Sequence, residues 1–191
     1  MITHIKTNEK IIFLTIDDAP TSESTPQTLE ILKYYNVKAT FFCIGKNIIE
    51  NQNIFEKILK DKHSIANHSF SHQNGWRTNT KRYISDVNKG KSLTNSNIFR
   101  PPYGKISPLQ YLFLYKKNRI VLWTMMVYDF DKKRSLEKDK KLLEKYLQPG
   151  SIFIFHDNQK AIDKKNILLP YFIELALKLN FRFEPLEKYI L

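Results

Sequence analysis

Two carboxylates stand side by side at Asp17 and Asp18, directly after the apolar run Ile-Ile-Phe-Leu-Thr-Ile. Adjacent side chains leaving a strand point in different directions. One of the pair can therefore ligate a metal while the other faces a substrate as a base. The bland alternative is a pair of turn aspartates before Pro20. Two imidazoles follow in His68-Ser-Phe-Ser-His72. On a helix, that spacing sets both on one face within reach of a single ion. Imidazole suits zinc and related first-row metals, although the glutamate of the zincin helix is absent beside His68. One aspartate with two histidines makes an open three-ligand site. Open metal sites leave room for water and are typically catalytic, whereas coincidental surface histidines would do nothing.

Further groups could act on whatever that site holds. Arg100 begins Arg-Pro-Pro-Tyr-Gly, a rigid strand exit. Its two prolines remove two N–H donors and fix the backbone. The Tyr103 N–H is left free to donate, and Arg100 can clamp a carboxylate such as Asp17 through paired hydrogen bonds. His156 follows Ser-Ile-Phe-Ile-Phe and can serve as a general acid near neutral pH. Asp129 could hold and tune that imidazole. Read without function, these are a Pro-Gly loop with an exposed arginine, a core histidine and a turn aspartate.

Positioning such groups takes strands and helices, and the chain alternates them. Strands are expected at 11–16, 39–44, 64–67, 98–100, 120–127, 151–155 and 181–183. Helices are expected at 26–36 with Thr25 as N-cap, 48–59, 81–93 (weakened by Gly90), 108–117, 135–147 with Ser135 as N-cap, and 167–179. Pro170 fits the last only near its first turn. The strands are continuous apolar runs, which indicates burial on both faces and a parallel sheet. An α/β barrel or a doubly wound sheet follows, and periodicity alone does not choose. In both, sites gather at the carboxyl ends of strands. Asp17, Asp18, His68, Arg100, Tyr103, Asp129 and His156 all fall there.

The 191 residues correspond to roughly one domain at about 150 residues each. With 42% hydrophobic and 26% charged residues, the chain is globular rather than disordered. A lone cysteine, Cys43, excludes an internal disulfide and any multi-cysteine zinc site, and it reads as a core residue. The net charge of +12 reads first as a solvated lysine-rich surface, as at Lys132 to Arg134 and Lys138 to Lys141. Attraction to anionic polymers is the sharper alternative. No nucleic-acid-binding signature accompanies the charge. No apolar run approaches the ~18 residues of a membrane span. The first residues lack a signal-peptide apolar stretch. The sequence as it stands therefore predicts a cytoplasmic protein, or an envelope or secreted one if an upstream segment is missing.

Taken together, the motifs resemble those of the polysaccharide deacetylases with the NodB homology domain, carbohydrate esterase family 4. The resemblance runs from about Ile11 to Phe183. Thr15-Ile16-Asp17-Asp18 is similar to the family's Thr-Phe-Asp-Asp-Gly-Pro, and His68 to His72 to its His-x-x-x-His. Arg100-Pro-Pro-Tyr103-Gly104 is similar to Arg-x-Pro-Tyr, Asp129-Phe130 to Asp-Trp, and Ile154-Phe155-His156 to a Leu-x-His motif. The resemblance implies one catalytic domain over residues 1–191, built as a distorted (β/α) barrel with about seven parallel strands. It implies a divalent metal, zinc or else cobalt, and hydrolysis of an acetyl group on a sugar polymer. Carried over residue by residue, Asp18, His68 and His72 hold the metal, and Asp17 is the base that Arg100 orients. The Tyr103 N–H completes an oxyanion hole, and His156 is the general acid whose pKa Asp129 sets.

Three departures stand out. Ala19 replaces a glycine, which would strain the backbone if that position needs positive φ. Phe130 replaces a tryptophan, keeping an apolar wall but losing an indole donor. Met126 stands where many members carry another acidic residue, which bears on substrate contacts. The expected partner is an acetylated glycan, peptidoglycan- or chitin-like. Hydrolysis of another acyl or cyclic amide, and a non-catalytic glycan-binding domain, are the rival readings. Trp76 reads equally as a sugar-stacking or a packed loop residue, and Trp123 as core. Tyr34-Tyr35 and the pair Tyr111 and Tyr115 read as helix packing. His4 and His63 have no identifiable partner.

Overall fold

Every residue of β1 (Ile11–Asp17) is buried, as a continuous apolar run requires in a strand covered on both faces. The computed structural model describes residues 1–190, and Leu191, the end of the expected domain, lies outside the described residues. Strand pleating sorts the side chains of β1. Ile12, Leu14 and Ile16 join an outer core with Leu29 and Leu32 of α1 (Thr25–Tyr34) and Phe172 of α7 (Ile162–Lys178). Ile11 and Phe13 turn the other way, into an inner cluster with Phe42, Ala66, Val121 and Ile152.

The remaining strands are β2 (Thr40–Cys43), β3 (Ser64–Asn67), β4 (Ile98–Phe99), β5 (Arg119–Ile120), β6 (Met125–Met126), β7 (Ile152–His156) and β8 (Arg182–Phe183). All pair in parallel, in the order β5-β4-β3-β2-β1-β7-β6, with β8 beside the start of β1. The inner face is apolar low in the barrel and polar at its carboxyl end. Along β1 it runs Ile11, Phe13, Thr15, Asp17, and along β7 it runs Ile152, Ile154, His156. The register sets Asp17 opposite His156.

The expected strand at 120–127 is the main correction. That run is split: Ile120 pairs with Phe99 in β4, whereas Met125 pairs with Phe153 in β7. One segment thus serves both edges of the sheet, and its middle leaves regular pairing to do so. Leu122 donates its N–H to the Ile2 carbonyl at 2.7 Å and offers its own carbonyl to Arg100 at 2.8 Å. The curled sheet is a distorted (β/α) barrel for that reason.

The helices follow the expected order with shifted ends. The stretch expected as one helix is α2 (Gly45–Glu50) and α3 (Gln52–Lys60). They break at Asn51, whose side chain donates to the Asn47 carbonyl at 3.2 Å. Ser24, not Thr25, is the N-cap residue of α1. Thr25 instead accepts the Thr21 N–H at 2.8 Å. Next come α4 (Thr80–Thr94), α5 (Pro108–Leu114), shorter than expected, and α6 (Leu136–Tyr146). Helix α7 starts well before 167, so Pro170 lies inside it. Two lysines in its early turns, Lys164 and Lys165, are buried, and their partners hold that extra length. No helix among the described residues is long and apolar enough to cross a membrane.

Candidate active site

Asp17 ends β1 on the inner face, and Asp18 takes φ 72°. That left-handed turn lets two adjacent carboxylates serve one cavity from different angles. The Asn47 amide holds the Asp18 carbonyl at 2.8 Å. Ala19 does not share the positive φ, so alanine in place of glycine brings no such strain. Arg100 is fully buried, which removes the exposed-arginine reading. Its Nη1 donates to Asp17 Oδ1 at 2.6 Å and to Thr15 Oγ1 at 2.9 Å, and its Nη2 donates to the Leu122 carbonyl. The Phe42 ring lies 3.8 Å from the guanidinium carbon. The clamp on Asp17 is therefore a single short bond rather than the expected fork, because the second nitrogen is spent on the barrel closure. Asp17 Oδ2 stays free toward the cavity, 3.8 Å from His68 Nε2.

The histidine segment is not helical. His68 leaves β3, and Ser69 and His72 both take left-handed backbone angles. A tight loop, not a helix face, brings the two rings to 4.9 Å. Asp86 on α4 holds that loop: its carboxylate accepts the N–H groups of Phe70 and Ser71 and the Ser71 hydroxyl. Asn67 accepts the Ser69 N–H at 2.9 Å and donates to the Val87 carbonyl. Gly90 allows this approach, since a Cβ there would sit 2.6 Å from the Ser69 carbonyl carbon. The residue that weakens α4 as a helix is the one that lets the loop dock.

Ligand atoms of Asp18, His68 and His72 lie within 4.8 Å of one another. His68 Nδ1 lies 2.8 Å from the Arg100 carbonyl. That bond fixes the proton on Nδ1 and leaves Nε2 as a lone pair facing Asp18. Burial, helped by the neighbouring His68, lowers the His72 pKa to about 4. Burial alone would raise the Asp18 pKa, but His156, His72, His68 and a hydrogen bond from Asn158 hold it below the usual value. His72 is neutral and Asp18 is charged at neutral pH, which fits a divalent cation.

On the opposite wall, Asp129 grips His156 twice. Its Oδ1 lies 2.7 Å from ring Nδ1, and its Oδ2 accepts the His156 backbone N–H at 2.9 Å. Burial would depress the His156 pKa, but Asp129, with Asp18 and Asp17 beyond it, raises it to about 9. The imidazole is thus charged at neutral pH and faces the cavity as an acid. Tyr103 sits in a strained turn at φ 60°. The turn's own bonds run from Gly104 N to Pro101 O and from Lys105 N to Pro102 O, which leaves the Tyr103 N–H for another partner.

The profile of the family described as Polysaccharide deacetylase matches residues 4–116. The chain belongs to the polysaccharide deacetylase family. A peptidoglycan-N-acetylglucosamine deacetylase of Bacillus cereus is 31% identical over 175 residues, covering 85% of this chain and 63% of that protein. The chain thus spans less than two thirds of that relative. A crystal structure of a peptidoglycan N-acetylglucosamine deacetylase superposes with TM-score 0.92 at 28% identity, over 99% of this chain and 92% of that one. A pseudoenzyme of carbohydrate esterase family 4 from Bacillus anthracis superposes with TM-score 0.85 at 23% identity, over 99% of this chain and 68% of that one. That likeness shows fold alone, so function has to be argued from the site.

In this member of the polysaccharide deacetylase family the site opens into a cavity of about 640 Å³ lined by Asp17, Asp18, His68, His72, Tyr103 and His156 together with Trp123, Met126 and Phe130. Phe130, the replacement for the family's tryptophan, meets the His156 ring edge-on at 5.0 Å. Trp123 is a cavity wall rather than core. Its ring packs on Gly104, where a Cβ would lie 2.5 Å away. Trp76 is two-thirds exposed, with its indole N–H on the Ile106 carbonyl at 3.3 Å. His63 does have a partner: its Nδ1 accepts the Ala39 N–H. Sequence reading missed Thr15, Asp86 and Asn158 as parts of the site. No local pattern marks Asp86 or Asn158, because each acts on residues far along the chain.

Proposed function

We propose that the chain removes acetyl groups from an N-acetylated glycan of the peptidoglycan type, using zinc held by Asp18, His68 and His72. One observation supports this above all. An open Asp-His-His set, a carboxylate fixed by a buried arginine and an imidazolium fixed by a buried carboxylate converge on one cavity. The deacetylase names of the relatives support the substrate class, and such a substrate places the protein's work at the cell envelope. The donor set, one carboxylate and two imidazoles, suits zinc over magnesium or calcium.

A bound divalent cation would polarise the acetyl carbonyl and ease loss of a proton from water. Asp17 accepts that proton on Oδ2 while Oδ1 stays on Arg100, so the base keeps its aim. The Tyr103 N–H donates to the oxygen that gains negative charge, a contact typically worth about 3 kcal/mol. His156 protonates the departing sugar nitrogen, and Asp129 steadies the imidazolium before transfer. General acid–base help of this kind contributes about 10²–10⁴-fold. Water and the amide leave as acetate and a free amine.

The test is acetate release from N-acetylated chito-oligosaccharides and peptidoglycan fragments. Wild type, Asp17→Asn and His68→Ala are each stripped of metal and reloaded with zinc or cobalt. The proposal expects metal-dependent acetate from wild type and loss in both variants. Stoichiometric metal without acetate from any glycan would sink the sugar assignment in favour of another amide. Failure to bind metal would leave a glycan-binding domain.

A further inference from the structure

Two adjacent lysines of α7 are buried where the mechanism above gives them no task. Lys165 is fully buried, and its Nζ lies 2.5 Å from Asp157 Oδ1, Ser24 Oγ and Thr28 Oγ1. Both hydroxyls also donate to that Asp157 oxygen. Asp157 directly follows His156, and its own N–H donates to the Asp17 carbonyl at 2.8 Å. Lys165 therefore pins to α1 the residue that joins the general acid's strand to the base's strand.

Lys164 turns about 100° away on the same helix. Its Nζ donates to the carbonyls of Tyr128 and Asp131, at 3.0 and 3.1 Å, and pairs with the buried Asp139 at 2.6 Å. Arg134 takes the other Asp139 oxygen and lies over the Tyr128 ring. One ammonium thus ties both ends of the turn that carries Asp129 and Phe130. Desolvating two ammonium groups is costly, and apolar side chains would fill the same space without that cost. What the lysines add is direction: one grips each side of the His156–Asp129 pair.

We propose that Lys164 and Lys165 are positioning residues that set the general acid. Lys164 does so through the Asp129 turn and Lys165 through Asp157. The inference rests on the deacetylase reading for its consequence in turnover, but not for its geometry.

The test compares Lys164→Met, Lys164→Arg, and Lys165→Met combined with Asp157→Asn, which leaves no lone buried charge. The control is Lys46→Met, whose lysine is exposed. At a temperature where all stay folded, kcat falls by about 10–100-fold in Lys164→Met and in the double variant, the scale of a misplaced catalytic group. KM and bound zinc stay within about twofold, because neither lysine touches the metal ligands. Lys164→Arg restores most of the rate. In Lys164→Met the NMR titration of the His156 imidazole moves to lower pH, since Asp129 is no longer held against it, and Lys46→Met leaves it unmoved. Variants that only melt earlier, with wild-type kcat and an unmoved His156 titration, would overturn the proposal. If wild type releases no acetate from any glycan, the deacetylase reading fails. The imidazole titration then still decides the positioning role.

Discussion

At the scale of single residues, one dihedral separates the roles of two identical side chains. Asp17 lies in the strand and meets Arg100, whereas Asp18 turns left-handed and meets His72 Nε2 at 3.2 Å. The environments of the histidines diverge just as far. His156 is held charged to about pH 9 by Asp129, against the effect of burial. In the proposed mechanism His156 is the general acid and must be protonated, so activity is expected to fall as pH rises through that pKa. In Asp129→Asn the carboxylate is gone, and the alkaline fall in kcat/KM moves to lower pH; an unmoved profile would contradict the assignment. A cation beside Asp18 lowers the limb in both proteins, so only the difference is diagnostic. His63 is the opposite case, buried and lowered to about 4, with Lys38 adding to the shift. It must stay neutral to accept the Ala39 N–H. Its folded pKa lies below its unfolded value, so stability is full above pH 6.5 and declines as pH falls toward 4. The span is worth up to about 3 kcal/mol. Urea melts across this range should show the decline, and His63→Asn, which keeps an acceptor without a titrating ring, should flatten it.

At the scale of elements, the loop that carries His68 and His72 depends on α4 more than on its own residues. Asp86 accepts three of its donors. Asp86→Ala should weaken zinc binding about 10–100-fold, the usual cost of losing a group that orients ligands, while circular dichroism stays native. Competition with a chromophoric chelator measures it, and unchanged affinity would mean the loop holds itself. Gly90→Ala sets two effects against each other. Alanine gains about 1 kcal/mol of helix propensity, but its Cβ meets the Asn67 side chain at 2.5 Å and Ser69 backbone at 2.6 Å. Backbone cannot yield as a flexible side chain does, so a lower melting temperature and weaker zinc binding are expected. Periodicity and Pro26, Pro108 and Ser135 marked where α1, α5 and α6 begin. It misjudged α7, whose early turns are held by Lys164 and Lys165, and overlooked the break at Asn51. The first depends on groups distant in sequence, which a window of residues cannot contain, and the second on a side-chain bond to the Asn47 carbonyl, which apolar spacing does not register.

At the scale of the whole molecule, the site is where several strands converge, so an ion there joins elements that unfolding would separate. Zinc at a hundred times its Kd should stabilise the protein by about 2.7 kcal/mol, visible as a raised thermal midpoint that His68→Ala abolishes. The strand alternation, the parallel sheet and the site's place at the strand carboxyl ends were written in the sequence, because burial on both faces leaves an apolar run. So were the reactive residue types, because few side chains can ligate a cation or move a proton. Tertiary structure alone decided how the barrel closes. The apolar run at 120–127 looks like one strand, yet its two halves bond to opposite sheet edges that are remote from each other along the chain. It alone decided that the histidines meet in a loop, that Trp123 lines the cavity, and that Arg100 spends a nitrogen on Leu122. Each of these is a choice of partner, and a local sequence fixes what a residue can bond to but not which group the fold will bring within reach.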